Sequence, residues 1–242
     1  MRNTKKILGF DVDLTTFEGG IERVVELSKE QNVQIVTINP EMIAAGEKDA
    51  EFGQILRTAD VVVPDGFGIV LALAINGIKQ KRIPGIEFSF RLLEYCAENG
   101  IKTAFIGAEE EVLQKACANL KSKIPNLEIA YMHNGFFGAD EEPKIAEDAA
   151  NSGAKLVLVA TGVPKQEKFI TKYKEMFNNT VFAGVGGSFD VWSGKVRRAP
   201  AIFAKTGFEW LWRLLCAPSR FKRIFPTLPI FLIRVIMEKF DV

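Results

Sequence analysis

Five short stretches carry residues whose type and spacing could do chemistry. In Val63-Pro64-Asp65-Gly66-Phe67-Gly68 a carboxylate directly follows an apolar, β-branched run. Glycine lets the backbone turn and lets a ligand approach. A positioned carboxylate beside a reacting hydroxyl is what general base catalysis needs, while a plain Asp-Gly turn is the competing reading. Asp65 is the leading catalytic candidate, with Gly66 beside it as a binding residue. In Val36-Thr37-Ile38-Asn39-Pro40-Glu41, Thr37 and Asn39 fall on one side of a strand by its period of two. Both are further catalytic candidates, and Asn39 before Pro40 also reads as a helix cap. Arg82-Ile83-Pro84-Gly85-Ile86-Glu87 marks a loop before a helix, with Arg82 as a phosphate ligand or a solvated side chain and Glu87 in the first helical turn. In Thr161-Gly162-Val163-Pro164-Lys165-Gln166-Glu167-Lys168, Lys165 and Gln166 near a helix N-terminus could hold a nucleotide or sugar. Glu167 there reads as a favourable charge for the helix dipole. In Gly184-Val185-Gly186-Gly187-Ser188-Phe189-Asp190, Gly186 and Gly187 allow close backbone approach to a phosphate or base.

Other patterns exclude chemistries. Phe189 occupies the third glycine position of G-x-G-x-x-G, and no P-loop lysine motif is present, which disfavours a nicotinamide or ATP enzyme. One histidine, His133, and three scattered cysteines make a zinc site or a disulfide framework improbable; no metal and no cofactor are expected. Cys96 and Cys117 sit in helical patterns and read as small core residues. Asp11-Val12-Asp13 resembles a metal-binding D-x-D, or the first motif of haloacid-dehalogenase-type magnesium phosphatases. The later strand at 181–183 is followed by glycines rather than the acids such a phosphatase requires. The simplest expectation is that Asp13 caps the helix that starts near Thr15.

The elements that must position these residues follow from periodicity. Apolar runs at 7–10, 33–38, 61–63, 103–106, 128–131, 156–160 and 181–183 read as strands. Helical patterns at 21–31, 88–99, 112–121 and 143–152 alternate with them. The expected fold is α/β: a mainly parallel sheet with helices on both faces, a Rossmann-like three-layer arrangement. Ligands bind beyond the carboxyl ends of such strands, where the five stretches fall.

The 242 residues are 48% hydrophobic and 25% charged, ordinary for a globular enzyme and wrong for a disordered chain. The net charge of +1 hides an asymmetry: residues 195–242 hold ten Lys or Arg against three acids, a charge of +7, and the rest carries −6. We divide the chain on this into an α/β core, 1–194, and a basic, aromatic helical appendage, 195–242. Within the appendage 209–215 reads as an amphipathic helix, and a proline-bounded apolar run covers 230–237, too short to span a bilayer. Basic residues interleaved with Trp and Phe suit an anionic membrane surface; a helix packed on the core is the alternative. No nucleic-acid motif accompanies the charge. No signal-peptide pattern follows the basic start, so a cytoplasmic protein is expected.

Taken in order, the stretches resemble the WecG/TagA/CpsF glycosyltransferase family. The matching motifs are V-T-I-N-P-E-M at 36–42, V-P-D-G-F-G at 63–68, R-I-P-G-I-E at 82–87, G-V-P-K-Q-E-K at 162–168, G-V-G-G-S-F-D at 184–190, and G-K-V-R-R-A-P at 194–200 running into G-F-E-W-L-W-R-L at 207–214. Each is weak alone; six in order are specific. The resemblance, strongest to the TagA branch, implies inverting, metal-independent transfer of N-acetylmannosamine from a UDP donor to the N-acetylglucosamine of undecaprenyl-diphosphate-GlcNAc, forming the β-1,4 linkage unit of wall teichoic acid. WecG-type members imply the corresponding uronic acid instead. Carried over by motif, Asp65 is the proposed base, with Thr37, Asn39 and Gln166 beside it. Without a metal, the charge on the departing UDP needs cations, for which Arg82 and the tail arginines Arg213, Arg220 and Arg223 are candidates. The expected partners are the UDP-sugar, the polyprenyl-linked acceptor and the inner face of the cell membrane, with a homo-oligomer possible.

Overall fold

The computed structural model describes residues 2–196 and 221–240, the side chains of the second stretch from Thr227 onward. Leu8 and Gly9, at φ 48° and 81°, turn β1 (Thr4–Ile7) back onto β2 (Phe10–Asp13) as an antiparallel hairpin. This corrects the single strand expected over 7–10: Ile7 and Phe10 are paired across the turn instead. A run interrupted by two left-handed residues cannot continue as one strand.

The rest of the chain alternates strand and helix. After α1 (Phe17–Ser28) come β3 (Val33–Ile38), α2 (Pro40–Gly46), α3 (Ala50–Thr58) and β4 (Val61–Pro64). Next are α4 (Phe67–Ile75), α5 (Gly85–Glu98), β5 (Thr103–Gly107), α6 (Glu110–Lys123), β6 (Ile129–His133) and α7 (Glu142–Asn151). β7 (Leu156–Ala160), α8 (Lys165–Tyr173), a 3₁₀ turn (Lys174–Met176), β8 (Val181–Gly184) and the short α9 (Ser188–Trp192) complete the core. Six strands form one parallel sheet in the order β4-β3-β8-β7-β5-β6. All of β4, β5 and β7 is buried, as sheets covered on both faces require.

Alternation along the strands divides the core. Val33, Ile35, Val61, Val63, Phe105, Leu158 and Ala183 face α1, α5, α6 and α9. Val36, Ile38 and Val62 face α2, α3, α4 and the hairpin. Ala104, Ile106, Val157, Val159 and Phe182 face α7 and α8. The expected three layers are therefore present. Cys96 and Cys117 are buried in the first cluster, and desolvation pushes their thiols up to about 12 and about 11.

A last helix, α10 (Phe221–Phe240), lies across α2 and α4. It runs through Pro226 and Pro229, so proline does not bound the apolar run as expected. Each proline removes a helical N–H. Burial of Phe231 and Val235 among Phe10, Met42, Ile69 and Leu73 offsets that loss. Arg234 pairs with both oxygens of Glu47 at 2.5 and 2.6 Å, and Lys239 donates to the Ile75 carbonyl. The helix expected at 209–215 lies outside the described residues.

Candidate active site

Asp65 stands one residue beyond β4, half-buried, at the carboxyl edge of the sheet. Its backbone N–H continues the ladder to Ile38 O at 3.0 Å. Its carboxylate is held from both sides: Oδ1 accepts from the Gly66 N–H at 2.7 Å and Oδ2 from the Gly85 N–H at 3.2 Å. Gly66, at φ 86° and ψ 144°, takes a conformation that a side chain would strain. Gly85 reaches Asp65 because it has no side chain: a Cβ there would lie 2.9 Å from Thr37 Cγ2 and 3.0 Å from Thr37 Oγ1. Thr37 is thus against Gly85. Asn39 caps α2 as expected, its Oδ1 accepting from Met42 N at 3.1 Å, with its Cβ below Gly66. Arg82 is half-buried on the same loop, which is tied to β4 by Ile83 N–H to Pro64 O at 2.9 Å. Glu87 lies in the first turn of α5. The first three sequence clusters therefore converge on one place.

The fourth and fifth clusters meet two strands away. Ile35 pairs with Ala183, so β3 lies beside β8 up to the turn that begins at Gly184. Asp65 and the glycine turn 184–187 are then separated by two strand spacings, roughly 10 Å. Gln166 and Glu167 sit in the first turn of α8 and are 3% and 2% exposed. Gln166 accepts from the Gly186 N–H at 3.0 Å and donates to Glu167 Oε1 at 2.7 Å. The geometry makes Gln166 a tie between α8 and the glycine turn. Gly187 is exposed and Gly186 partly so.

Lys165, exposed, lines an open cleft of about 560 Å³ beyond β5, β6 and β7, with Ala108, Thr161, Phe136 and Glu141 among its walls. Phe136 is 75% exposed at the cleft, and Thr161 Oγ1 is buried there without a hydrogen-bond partner. An exposed phenyl face and a lysine suit a flat ring carrying an anionic group.

Two of these residues escaped sequence reading. Phe136 carries no motif. The sequence position of Glu167 suggests only a dipole charge, yet it is buried, and desolvation raises its carboxyl to about 7. The signal was present: Phe169, Ile170 and Tyr173 form the buried stripe of α8, and three- and four-residue spacing carries that stripe back to 166 and 167. Arg213 and Arg220 lie outside the described residues, and Arg223 lies where the helix but not its side chains is described.

The Asp11–Asp13 pair is engaged within and beside the hairpin. Thr16, not Asp13, caps α1. Asp13, 3% exposed, accepts from Arg2 Nε at 2.6 Å and from the Val62 N–H at 2.6 Å, bracing the hairpin against β4. Asp11 accepts from Thr4 Oγ1. Neither stands at a carboxyl end of the parallel sheet, so the phosphatase alternative falls. Among the described residues no cluster of three His, Cys, Asp or Glu side chains could hold a metal ion.

Comparison with known proteins gives the family. Residues 5–242 match the family described as Glycosyl transferase WecG/TagA/CpsF. A protein of Bacillus spizizenii (strain ATCC 23059 / NRRL B-14472 / W23) is 35% identical over 215 residues, covering 88% of this chain and 82% of its own. One from Bacillus subtilis (strain 168) is 32% identical, covering 94% and 88%, and one from Staphylococcus aureus (strain NCTC 8325 / PS 47) is 34% identical, covering 98% and 94%. All three are named N-acetylglucosaminyldiphosphoundecaprenol N-acetyl-beta-D-mannosaminyltransferase. With six motifs in order, a sheet that gathers five of them along one edge, and a family match over nearly its whole length, this chain belongs to the WecG/TagA/CpsF family of glycosyltransferases.

Proposed function

We propose that this enzyme moves N-acetylmannosamine from a UDP donor to the N-acetylglucosamine of a polyprenyl-diphosphate-linked acceptor, inverting the anomeric centre to give a β-1,4 linkage. The observation that carries the chemistry is the half-buried Asp65 carboxylate, oriented by two backbone N–H groups at the carboxyl edge of the sheet. The identity of the sugars rests on the names of the relatives.

In this reading the acceptor hydroxyl enters beside Asp65, which removes its proton as the new C–O bond forms at the anomeric carbon. The old bond breaks on the opposite face and its electron pair leaves with UDP. The sugar lies over β3 and β8, near Thr37 and Asn39. The diphosphate meets the backbone of Gly186 and Gly187, and the base enters the cleft against Phe136, with Lys165 at its rim. Positive charge must balance the diphosphate as it departs. Arg82 and the tail arginines Arg213, Arg220 and Arg223 are assigned that part.

The same reading divides the chain at 194/195 into a core and an appendage that joins the active site and attaches peripherally to the inner membrane face. In support, α10 passes close to the site at Leu228: an added Cβ at Gly68 would lie 2.7 Å from Leu228 Cδ1 and 2.5 Å from Pro40 Cγ. Opposite its buried face, Ile230, Ile233, Ile236, Met237 and Phe240 form an exposed apolar stripe, each 44–64% exposed. No helix among the described residues is long and apolar enough to cross a membrane.

The test is to offer the protein several UDP-sugars with a short prenyl-diphosphate-N-acetylglucosamine and identify the product by mass and linkage analysis. A product carrying one added N-acetylhexosamine, β-linked and formed from the N-acetylmannosamine donor alone, is expected. Exclusive use of the uronic acid donor would move the chain to WecG-type transfer. No transfer from any UDP-sugar would overturn the reading.

A further inference from the structure

We propose that Glu167 is a positioning residue for the transfer: its carboxyl orients the Gln166 amide, and that amide fixes the glycine turn after β8 against which the donor diphosphate is bound. The inference rests on the reading that the donor occupies this edge of the sheet. It adds a residue with no place in the chemistry described above.

The chain of contacts has one consistent orientation. The Gly186 N–H can only donate, so the Gln166 atom 3.0 Å away is the amide oxygen. The amide nitrogen must then point to Glu167, whose Oε1 accepts at 2.7 Å. Both side chains are held against β8 by the absence of a side chain at Gly184. A Cβ there would meet Gln166 Nε2 at 2.5 Å and Glu167 Oε1 at 2.7 Å. Gly186, at φ 49°, is thus set by a side chain from another element as well as by its own turn. The second carboxyl oxygen of Glu167 is buried without a partner. A buried polar atom left unpaired carries a cost that a purely structural glutamate would not need.

The neutral acid suits this place: Oε1 still accepts while the proton sits on Oε2. Ionisation would leave an uncompensated charge. Among the described residues the neighbouring elements supply no cation to it. Neither β7 nor β8 carries a titratable side chain. From β3, Gln34 reaches the Glu167 backbone oxygen at 3.4 Å and accepts from Thr171. On α8, Lys168 is engaged with Asp49 and Glu51 beside α3, and Lys172 with Glu142 of α7. Lys144 of α7 is engaged with Glu147 and Asp148, and Arg57 of α3 lies over the Phe10 ring. Lys165, Lys174 and Glu175 remain in the outer part of α8 and its following turn, and none of these groups contributes to the Glu167 shift, which burial dominates.

The experiment uses the full chain labelled with ¹⁵N-glycine, and compares wild type, Glu167→Gln and Glu167→Ala. In Glu167→Ala the Gly186 amide should exchange about tenfold faster, and the donor KM should rise about tenfold, matching the loss of one buried hydrogen bond. The acceptor KM should hold. Glu167→Gln keeps an acceptor oxygen and should restore both readouts. If Glu167→Ala does not fold, Gly184→Ala displaces the same pair and should give the same two changes. Unchanged Gly186 exchange, donor and acceptor KM rising together, or a Gln variant as impaired as Ala would each overturn the proposal. Faster exchange with an unchanged donor KM would overturn it while leaving sugar transfer standing. A wild-type enzyme that uses no UDP-sugar overturns the transfer reading, and with it the link to the donor.

Discussion

At the scale of single residues, two carboxyls near one sheet edge are placed in opposite ways. Asp65 is half-exposed and takes hydrogen bonds from Gly66 and Gly85. Glu167 is enclosed, with one oxygen unpartnered. The first arrangement suits proton transfer with a substrate, and the second suits orienting the Gln166 amide against the glycine turn. Asp65→Asn keeps the size and the acceptor oxygen but loses the base, so kcat should fall by about 10²–10⁴ with donor KM little changed, read by steady-state kinetics. Glu167 gives a pH signature of stability. Its carboxyl is raised from 4.5 in the open chain to about 7 in the fold, so the native state binds more protons between those values. Stability from this group is complete below 4.5 and is lost as pH rises through 7. Urea unfolding at pH 5 and pH 8 should show wild type losing about 2–3 kcal/mol relative to Glu167→Gln.

At the scale of elements, the N-terminal hairpin and α10 are braces on the half of the sheet that carries Asp65. Asp13 joins β2 to Arg2 and to the Val62 N–H of β4. Its partner Arg2 has a 26% exposed side chain, so water can take up part of what a substitution leaves unpaired. Asp13→Ala should lower unfolding stability by about 3 kcal/mol with an unchanged denaturant slope. Its kcat per folded molecule should stay within twofold or so, since Asp13 lies outside the site. A magnesium phosphatase would show the reverse, lost turnover without lost stability.

At the scale of the whole molecule, charge and apolar surface lie in the same segment. Residues 195–242 carry +7, and within them Ile230 to Phe240 expose an apolar stripe. Removing one isoleucine from an apolar environment costs about 1.5–3 kcal/mol. Ile233→Glu should therefore weaken binding to vesicles of phosphatidylglycerol by at least about tenfold in co-sedimentation, with the melting temperature held. Raising salt should weaken wild-type binding further by screening the basic residues. Binding unaffected by either change would remove the membrane role from α10.

The sequence by itself determined the layered α/β architecture, because near-continuous apolar runs separated by amphipathic helices have few other solutions. It also located Asp65, Thr37, Asn39 and the glycines, since parallel sheets present their strand ends to ligands. Asn39 as cap of α2 was legible because capping is a local event, decided within four residues. What depended on distant partners was not legible. The turn at Leu8 and Gly9 splits an apolar run in two, and Asp13 faces Arg2 and Val62 rather than the helix that follows it. The spacing of α8 placed Glu167 on a buried face, but only the approach of Gly184 and Gly186 decided that its carboxyl would be enclosed and coupled to Gln166. Burial and hydrogen-bond partners belong to the packed chain, where residues far apart in sequence become each other's solvent.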